Sequence, residues 1–239
     1  MECNEFLNKC ESYKNKYHYI EREYANKHEC VDQFLRDMAM IKERKGVLRE
    51  MEDFAASNRI PIVQPEAAQI LLVLGKLAKP RRILEIGAGI GYSAILLAAV
   101  LEPGGKLDTI EKNEAMARIA RGNIKKAGLE DTINVIEGCA EDVLKCLDRE
   151  YDMIFLDAAK GQYVEFLPEC LRILAKGGLL ISDNVLYKGM VAGNEPVVRR
   201  KRTIVKRMRE YLRLISGSDE LETCVIPVGD GIAASYKNY

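Results

Sequence analysis

From about residue 80 onward, short apolar β-branched runs alternate with longer stretches whose apolar residues fall at helical spacing. The runs predict strands over 82–86, 106–111, 132–137, 152–157 and 178–183. The stretches between them predict helices over 92–101, 113–127, 141–148 and 163–175. Strand then helix, repeated, predicts a parallel sheet with helices on both faces. The ending breaks this rhythm. After a basic helix over 197–215, two runs at 222–228 and 232–237 are separated by Gly229-Asp230-Gly231. That is a hairpin signal, so at least one terminal strand should be antiparallel. Upstream, residues 1–55 are charged and helix-compatible, with Phe34, Leu35, Met38 and Ile41 at helical spacing. Pro61 and Pro65 bracket an extended connector, and a helical stripe follows through Ile70, Leu71, Leu74 and Leu77. The organisation expected is a helical N-terminal extension, 1–57, packed on the core or on a second subunit, followed by one α/β domain over 58–239. A homodimer is expected on the same ground.

Composition narrows this picture only a little. A chain of 239 residues suits one domain that buries about 70% or more of its unfolded surface. Lys+Arg and Asp+Glu both total 36, so the overall charge excludes no class of partner. No apolar run reaches the roughly 20 residues of a membrane span, and residues 1–30 carry many charges and no leader-like core. The expectation is a cytoplasmic protein without a membrane partner. The seven cysteines are odd in number and lack a Cys-x-x-Cys pair, and there are only two histidines. Reduced structural thiols are expected, rather than a disulfide scaffold or a zinc site.

The candidate chemistry starts at the first strand, which runs into Gly87, Gly89 and Gly91. A strand, a tight glycine turn and a helix bring backbone close to a nucleotide-like ligand. A dinucleotide fingerprint would place its third glycine where Tyr92 stands, and Glu85 precedes the first glycine by two residues. The second strand ends in Glu111, an acid suited to the hydroxyls of a ribose. Glu-x-Gly-x-Gly-x-Gly over 85–91 resembles motif I of the class I methyltransferases that bind S-adenosylmethionine. The resemblance implies a Rossmann-like, mostly parallel seven-stranded sheet closed by an antiparallel hairpin. It makes Glu85, Gly87 and Gly91 part of the cofactor turn and adds Val63, Ser93 and Ala140 as cofactor contacts. Asp142 nearby fits a helix N-terminal acid.

The fourth and fifth strands each end abruptly in an acid: Asp157 before Ala158-Ala159-Lys160, and Asp183 before Asn184. Alone, each acid fits a cap or turn residue equally well, and Lys160 fits a surface lysine. If the strands are neighbours, two carboxylates and an amide oxygen converge. Such hard donors suit Mg²⁺ and leave about three of six positions open. Asp-x-x-Lys followed by Asp-Asn resembles the metal-dependent O-methyltransferases of the catechol and caffeoyl-CoA type. That resemblance implies Asp157, Asp183 and Asn184 as metal ligands and Lys160 as the base that takes the substrate proton. Asp157, beside the glycine turn, counts as a cofactor contact and a catalytic residue as well.

Residues 155–163, 182–192 and 226–233 narrow the resemblance to the bacterial tRNA 5-hydroxyuridine methyltransferases, across roughly 58–237. Residues 199–213 carry eight positive charges against one negative, an electrostatic footprint for a phosphate backbone, although a solvated helix face has the same composition. The expected partner is therefore tRNA at its anticodon stem-loop, contacted by Lys188, Arg199, Arg200, Lys201 and Arg202, with 5-hydroxyuridine methylated to 5-methoxyuridine. A catechol-like small molecule is the alternative acceptor.

Overall fold

The computed structural model describes residues 31, 33–40, 44–193 and 198–239. The chain divides into two compact units, Met1–Ile41 and Lys42–Tyr239. In the first, residues 33–40 are helical, including Phe34, Leu35 and Met38. The remaining N-terminal expectations, over 1–30 and at Ile41, lie outside the described residues.

The second unit contains strands β1 (Arg82–Ile86), β2 (Lys106–Glu111), β3 (Ile133–Glu137), β4 (Tyr151–Leu156), β5 (Leu174–Ser182), β6 (Leu221–Ile226) and β7 (Ile232–Lys237). Its helices are α1 (Val47–Asn58), α2 (Pro65–Ala78), α3 (Tyr92–Ala98), α4 (Glu114–Lys126), α5 (Ala140–Cys146), α6 (Tyr163–Ile173) and α7 (Arg199–Ser216), with one 3₁₀ turn at Lys160–Gln162. Where the sequence division fell after residue 57, this unit begins at Lys42. Met51 and Ala55 of α1 are buried in its core.

The sheet runs β3-β2-β1-β4-β5-β7-β6. β1 to β5 pair in parallel, and β7 is antiparallel to both neighbours. Six strands therefore share one direction, as the strand–helix rhythm and the closing hairpin require. Alternate side chains feed two cores. Leu84, Ile86, Ile154 and Leu156 face α5, α6 and α7, while Ile83, Met153, Phe155 and Ile181 face α1, α2 and α3. Each such side chain, removed from water, contributes roughly 1.5–3 kcal/mol.

Boundaries shift where side chains compete for the ends. Helix α6 stops at Ile173, because Leu174 turns extended and pairs with Tyr151 ahead of a register shift. The Lys237 ammonium donates to the Leu171 and Leu174 carbonyls at this point. Strand β6 ends at Ile226, one residue before Pro227, which has no N–H to give the ladder. The strand order reverses at β1, between β2 and β4. That crevice, beyond the strands' carboxyl ends, is where an open α/β sheet places its ligand.

Candidate active site

A cleft of about 460 Å³ opens at this edge. One side of it is built by the first turn. The amides of Gly87 and Ala88 both donate to the Ile110 carbonyl, at 2.9 and 3.0 Å, so the chain leaves β1 still fastened to β2. Gly87 has φ +106°, and a Cβ there would lie 2.2 Å from the Asp157 carbonyl oxygen. Only glycine lets β1 and β4 end this close together.

Glu111 closes the same side. Its Oε2 accepts from the Gly89 amide at 2.9 Å and its Oε1 from the Asn113 amide at 2.8 Å. Two fixed donors hold the carboxylate at the cleft wall, with its other lone pairs available to a ligand. Val63, Ser93 and Ala140 also line the cleft. Asp142 stands in the first turn of α5, as an N-terminal acid should.

Two expected cofactor residues sit elsewhere. Gly91, at φ +85°, packs against Ala120 of α4, where a Cβ would approach within 3.3 Å. Its task is to let the turn pass under α4. Glu85 points beneath the turn, fully buried, and accepts a hydrogen bond from the Thr109 hydroxyl. Its Oε1 has no hydrogen-bond partner. Burial pushes this carboxyl up to about 7, against the opposing influence of Ser93 and Thr109. Glu85 thus lies under the cleft floor.

The other end of the cleft gathers Asp157, Lys160, Asp183 and Asn184. Asp157 follows β4 and Asp183 follows β5, and the β4–β5 pairing brings the two acids together. The Asp183 amide donates to the Leu156 carbonyl at 2.9 Å, one step beyond the last strand pair. Burial raises both carboxyls above their ordinary range. The charge of Asp157 adds to the rise at Asp183, and Lys160 opposes it at both. Asn184 adopts a left-handed conformation, φ +56°, and its amide donates to Asp183 Oδ1 at 2.6 Å.

Among the described residues no three His, Cys, Asp or Glu side chains cluster as a metal site. The strand ends offer two carboxylates and one amide oxygen. This set fits a hard divalent cation: two buried acids held against their charge, joined by a neutral oxygen donor.

Several further residues form the cleft wall without a sequence signal for it. Asp230 lines the cleft, although Gly229-Asp230-Gly231 reads only as a turn. The hairpin tip reaches back to hold the segment after Asn184. Gly231 O accepts from the Val185 amide, Asp230 O from the Leu186 amide and Asp230 Oδ1 from the Lys188 amide, at 2.9, 2.8 and 3.0 Å. Gln162 and Glu141 hydrogen-bond across the cleft, joining the Lys160 turn to the start of α5. Neither carries a sequence signal.

The basic residues divide by role. On α7, Arg207 donates to the Gly161 carbonyl at 2.7 Å and pairs with Glu165 at 3.1 Å. Arg209 donates to the carbonyls of Val191 and Gly193, at 2.9 and 2.6 Å. Arg199, Arg200 and Arg202 are exposed. Lys201 stands 5.9 Å over the Tyr187 ring, a cation–π distance. None of the five expected tRNA contacts lines the cleft.

This geometry has counterparts. An O-methyltransferase family model matches residues 38–238. The chain belongs to the O-methyltransferase family. This O-methyltransferase is 34% identical over 182 residues to a catechol O-methyltransferase of Niastella koreensis, covering 73% of the chain and 82% of the relative. It is 30% identical over 203 residues to a caffeoyl-CoA O-methyltransferase of Populus kitakamiensis, covering 80% and 83%. Among solved structures, it matches the O-methyltransferase of Bacillus cereus in complex with SAH, with TM-score 0.75, 30% identity and coverage of 87% and 97%. It also matches the O-methyltransferase TomG of Streptomyces achromogenes in complex with SAM, with TM-score 0.75, 27% identity and coverage of 88% and 96%.

Proposed function

We propose that this O-methyltransferase moves the methyl group of S-adenosylmethionine to one hydroxyl of a small aromatic acceptor bearing two vicinal oxygens, with Mg²⁺ held by Asp157, Asp183 and Asn184. The observation that carries this reading is the pair of buried acids, joined by Asn184 and faced by Lys160, at the far end of a cleft that begins at the glycine turn. The relatives named for catechol and caffeoyl-CoA support the acceptor class, and the SAH and SAM complexes of similar enzymes support the donor. When bound, the cation supplies positive charge that makes a nearby hydroxyl easier to deprotonate.

The chain's own groups do the rest. Gly87 admits the donor against the strand end, and Glu111 takes its ribose hydroxyls. Lys160 Nζ receives the acceptor proton. Fixing methyl and oxygen in line supplies much of the remaining rate. The test is purified enzyme with labelled S-adenosylmethionine and Mg²⁺, offered catechol, caffeoyl-CoA and tRNA carrying 5-hydroxyuridine. Catechol or caffeoyl-CoA should be methylated, and EDTA should abolish turnover. Full activity in EDTA overturns the metal assignment.

A second reading keeps the chemistry and changes the acceptor to the 5-hydroxyuridine of a tRNA anticodon loop. The exposed Arg199, Arg200 and Arg202 at the start of α7 favour it. Their joint replacement by Ala should then weaken tRNA binding and flatten its salt dependence while sparing the methyl donor. Turnover of tRNA with both small acceptors inert decides for this reading.

A further inference from the structure

The buried hydroxyl of Tyr163 sits between the carbonyl of Leu156, the residue before Asp157, and the carbonyl of Asp183, and neither the cofactor wall nor the proton transfer uses it. Tyr163 starts α6, three residues after Lys160, and is fully buried. Its hydroxyl lies 3.0 Å from the Leu156 carbonyl and 3.2 Å from the Asp183 carbonyl, and its proton is shared between them. The Leu156 carbonyl also accepts from the Asp183 amide. Leu156 with Ser182 is the last strand pair of β4 and β5. In a continuing parallel ladder the Ala158 amide would serve the Asp183 carbonyl next. The strands part here to let Asp157 and Asp183 reach the cleft, and the phenol stands in that rung's place. The ring cannot swing away: it packs edge-on against Tyr211, centroids 5.4 Å apart, a favourable aromatic geometry. The Tyr211 hydroxyl is fixed in turn to Ser182.

We infer that Tyr163 is a positioning residue that fixes the spacing of Asp157 and Asp183 for a divalent cation. The inference rests on the metal reading given above. Groups that orient metal ligands typically change metal affinity 10–100-fold when removed. Tyr163→Phe keeps the ring and removes the bridge.

The experiment is titration of the purified chain with Mn²⁺, followed by electron paramagnetic resonance, with thermal melts and calorimetric binding of S-adenosylmethionine alongside. Tyr163→Phe should raise the Mn²⁺ dissociation constant about tenfold or more and leave binding of the methyl donor within about twofold. Tyr151→Phe is the control. That phenol is equally buried and donates to Asp108 Oδ2 at 2.8 Å at the opposite end of β4, so it should lower the melting temperature without changing Mn²⁺ affinity. If wild type binds Mn²⁺ and Asp183→Ala abolishes it while Tyr163→Phe binds as wild type does, the clamp is refuted and the metal site stands. If wild type binds none, both fall. Hydrogen exchange on the wild-type chain gives a second measurement that needs no variant. Saturating Mg²⁺ should slow exchange across 156–163 together with 182–185, and slowing confined to 182–185 counts against a shared clamp.

Discussion

Replacing Glu85 by Gln should change the pH dependence of stability in a calculable way. The Glu85 carboxyl is fully buried under the glycine turn, and its value is raised from 4.5 to about 7, chiefly by loss of water. A folded-state value above the unfolded one means that the native state prefers the neutral form. Stability from this group is therefore complete below pH 4.5 and is lost as pH rises toward 7. The full loss is about 3 kcal/mol, the rise from 4.5 to about 7 taken at about 1.36 kcal/mol per pH unit. About 1 kcal/mol of it is already gone at pH 5, and nearly all by pH 8. Gln fills the same volume, can still accept from the Thr109 hydroxyl, and does not titrate. Its hydrogen bonds add an offset that is the same at every pH. The Asp157 and Asp183 carboxyls titrate in both proteins, so they cancel to first order in the difference. Urea unfolding of wild type and Glu85→Gln, without ligands, at pH 5 and pH 8 provides the assay. The difference in unfolding free energy should move by about 2–3 kcal/mol in favour of Gln between the two pH values. A difference that stays constant across this range would refute the reasoning, because it would mean that Glu85 is not held against its charge.

Three further outcomes follow from the cleft wall. Gly87→Ala places a Cβ 2.2 Å from the Asp157 carbonyl. It should cost about 3 kcal/mol or more and remove binding of S-adenosylmethionine, read by thermal melts and calorimetry. Glu111→Ala takes away the acceptor of the Gly89 and Asn113 amides and should weaken donor binding by about tenfold or more, the worth of one charge-assisted contact of roughly 1.5–3 kcal/mol. Calorimetry with an unchanged dissociation constant would exclude the ribose role. Arg207→Met keeps the stem on α7 and frees the Gly161 carbonyl and Glu165. The Lys160 turn should then wander, lowering kcat by about tenfold with donor affinity unchanged, which steady-state kinetics can separate.

Much of this architecture can be read from periodicity. β1, β2 and β7 begin and end where their apolar runs do, because glycine turns or charged residues stand at their ends. Residues 174–177 were harder: Leu174 and Ala175 continue the apolar stripe of α6, and the pairing with Tyr151 that makes them strand is set by a distant partner. The acids Asp157 and Asp183 were legible because each interrupts an apolar strand at its carboxyl end, where the sheet must deliver it. Glu85 carries the same kind of signal yet faces the floor. Strand side chains alternate, and one position decides between cleft and interior. Asp230, Gln162 and Tyr163 were not legible as site residues. Their neighbours in sequence explain them fully as a turn, a loop and a helix start, and only the tertiary fold brings them to the acids. The exposed arginines at the start of α7 show the converse: composition groups them with Arg207 and Arg209, which are spent on internal carbonyls.

The hairpin tip that fastens the segment after Asn184 also divides the cleft by distance along the chain. Translation delivers the glycine turn, Glu111, Asp157 and Asp183 before β6 and β7 exist. Until β7 pairs with β5, nothing supplies the Gly231 and Asp230 acceptors for the amides of Val185, Leu186 and Lys188. The Glu111 contacts with the Gly89 and Asn113 amides need no residue of the hairpin, whereas the Val185, Leu186 and Lys188 amides after Asn184 are fastened through it. One side of the cleft is therefore local to the first two strands, and the other hangs on a turn 42 residues beyond the Lys188 that it holds.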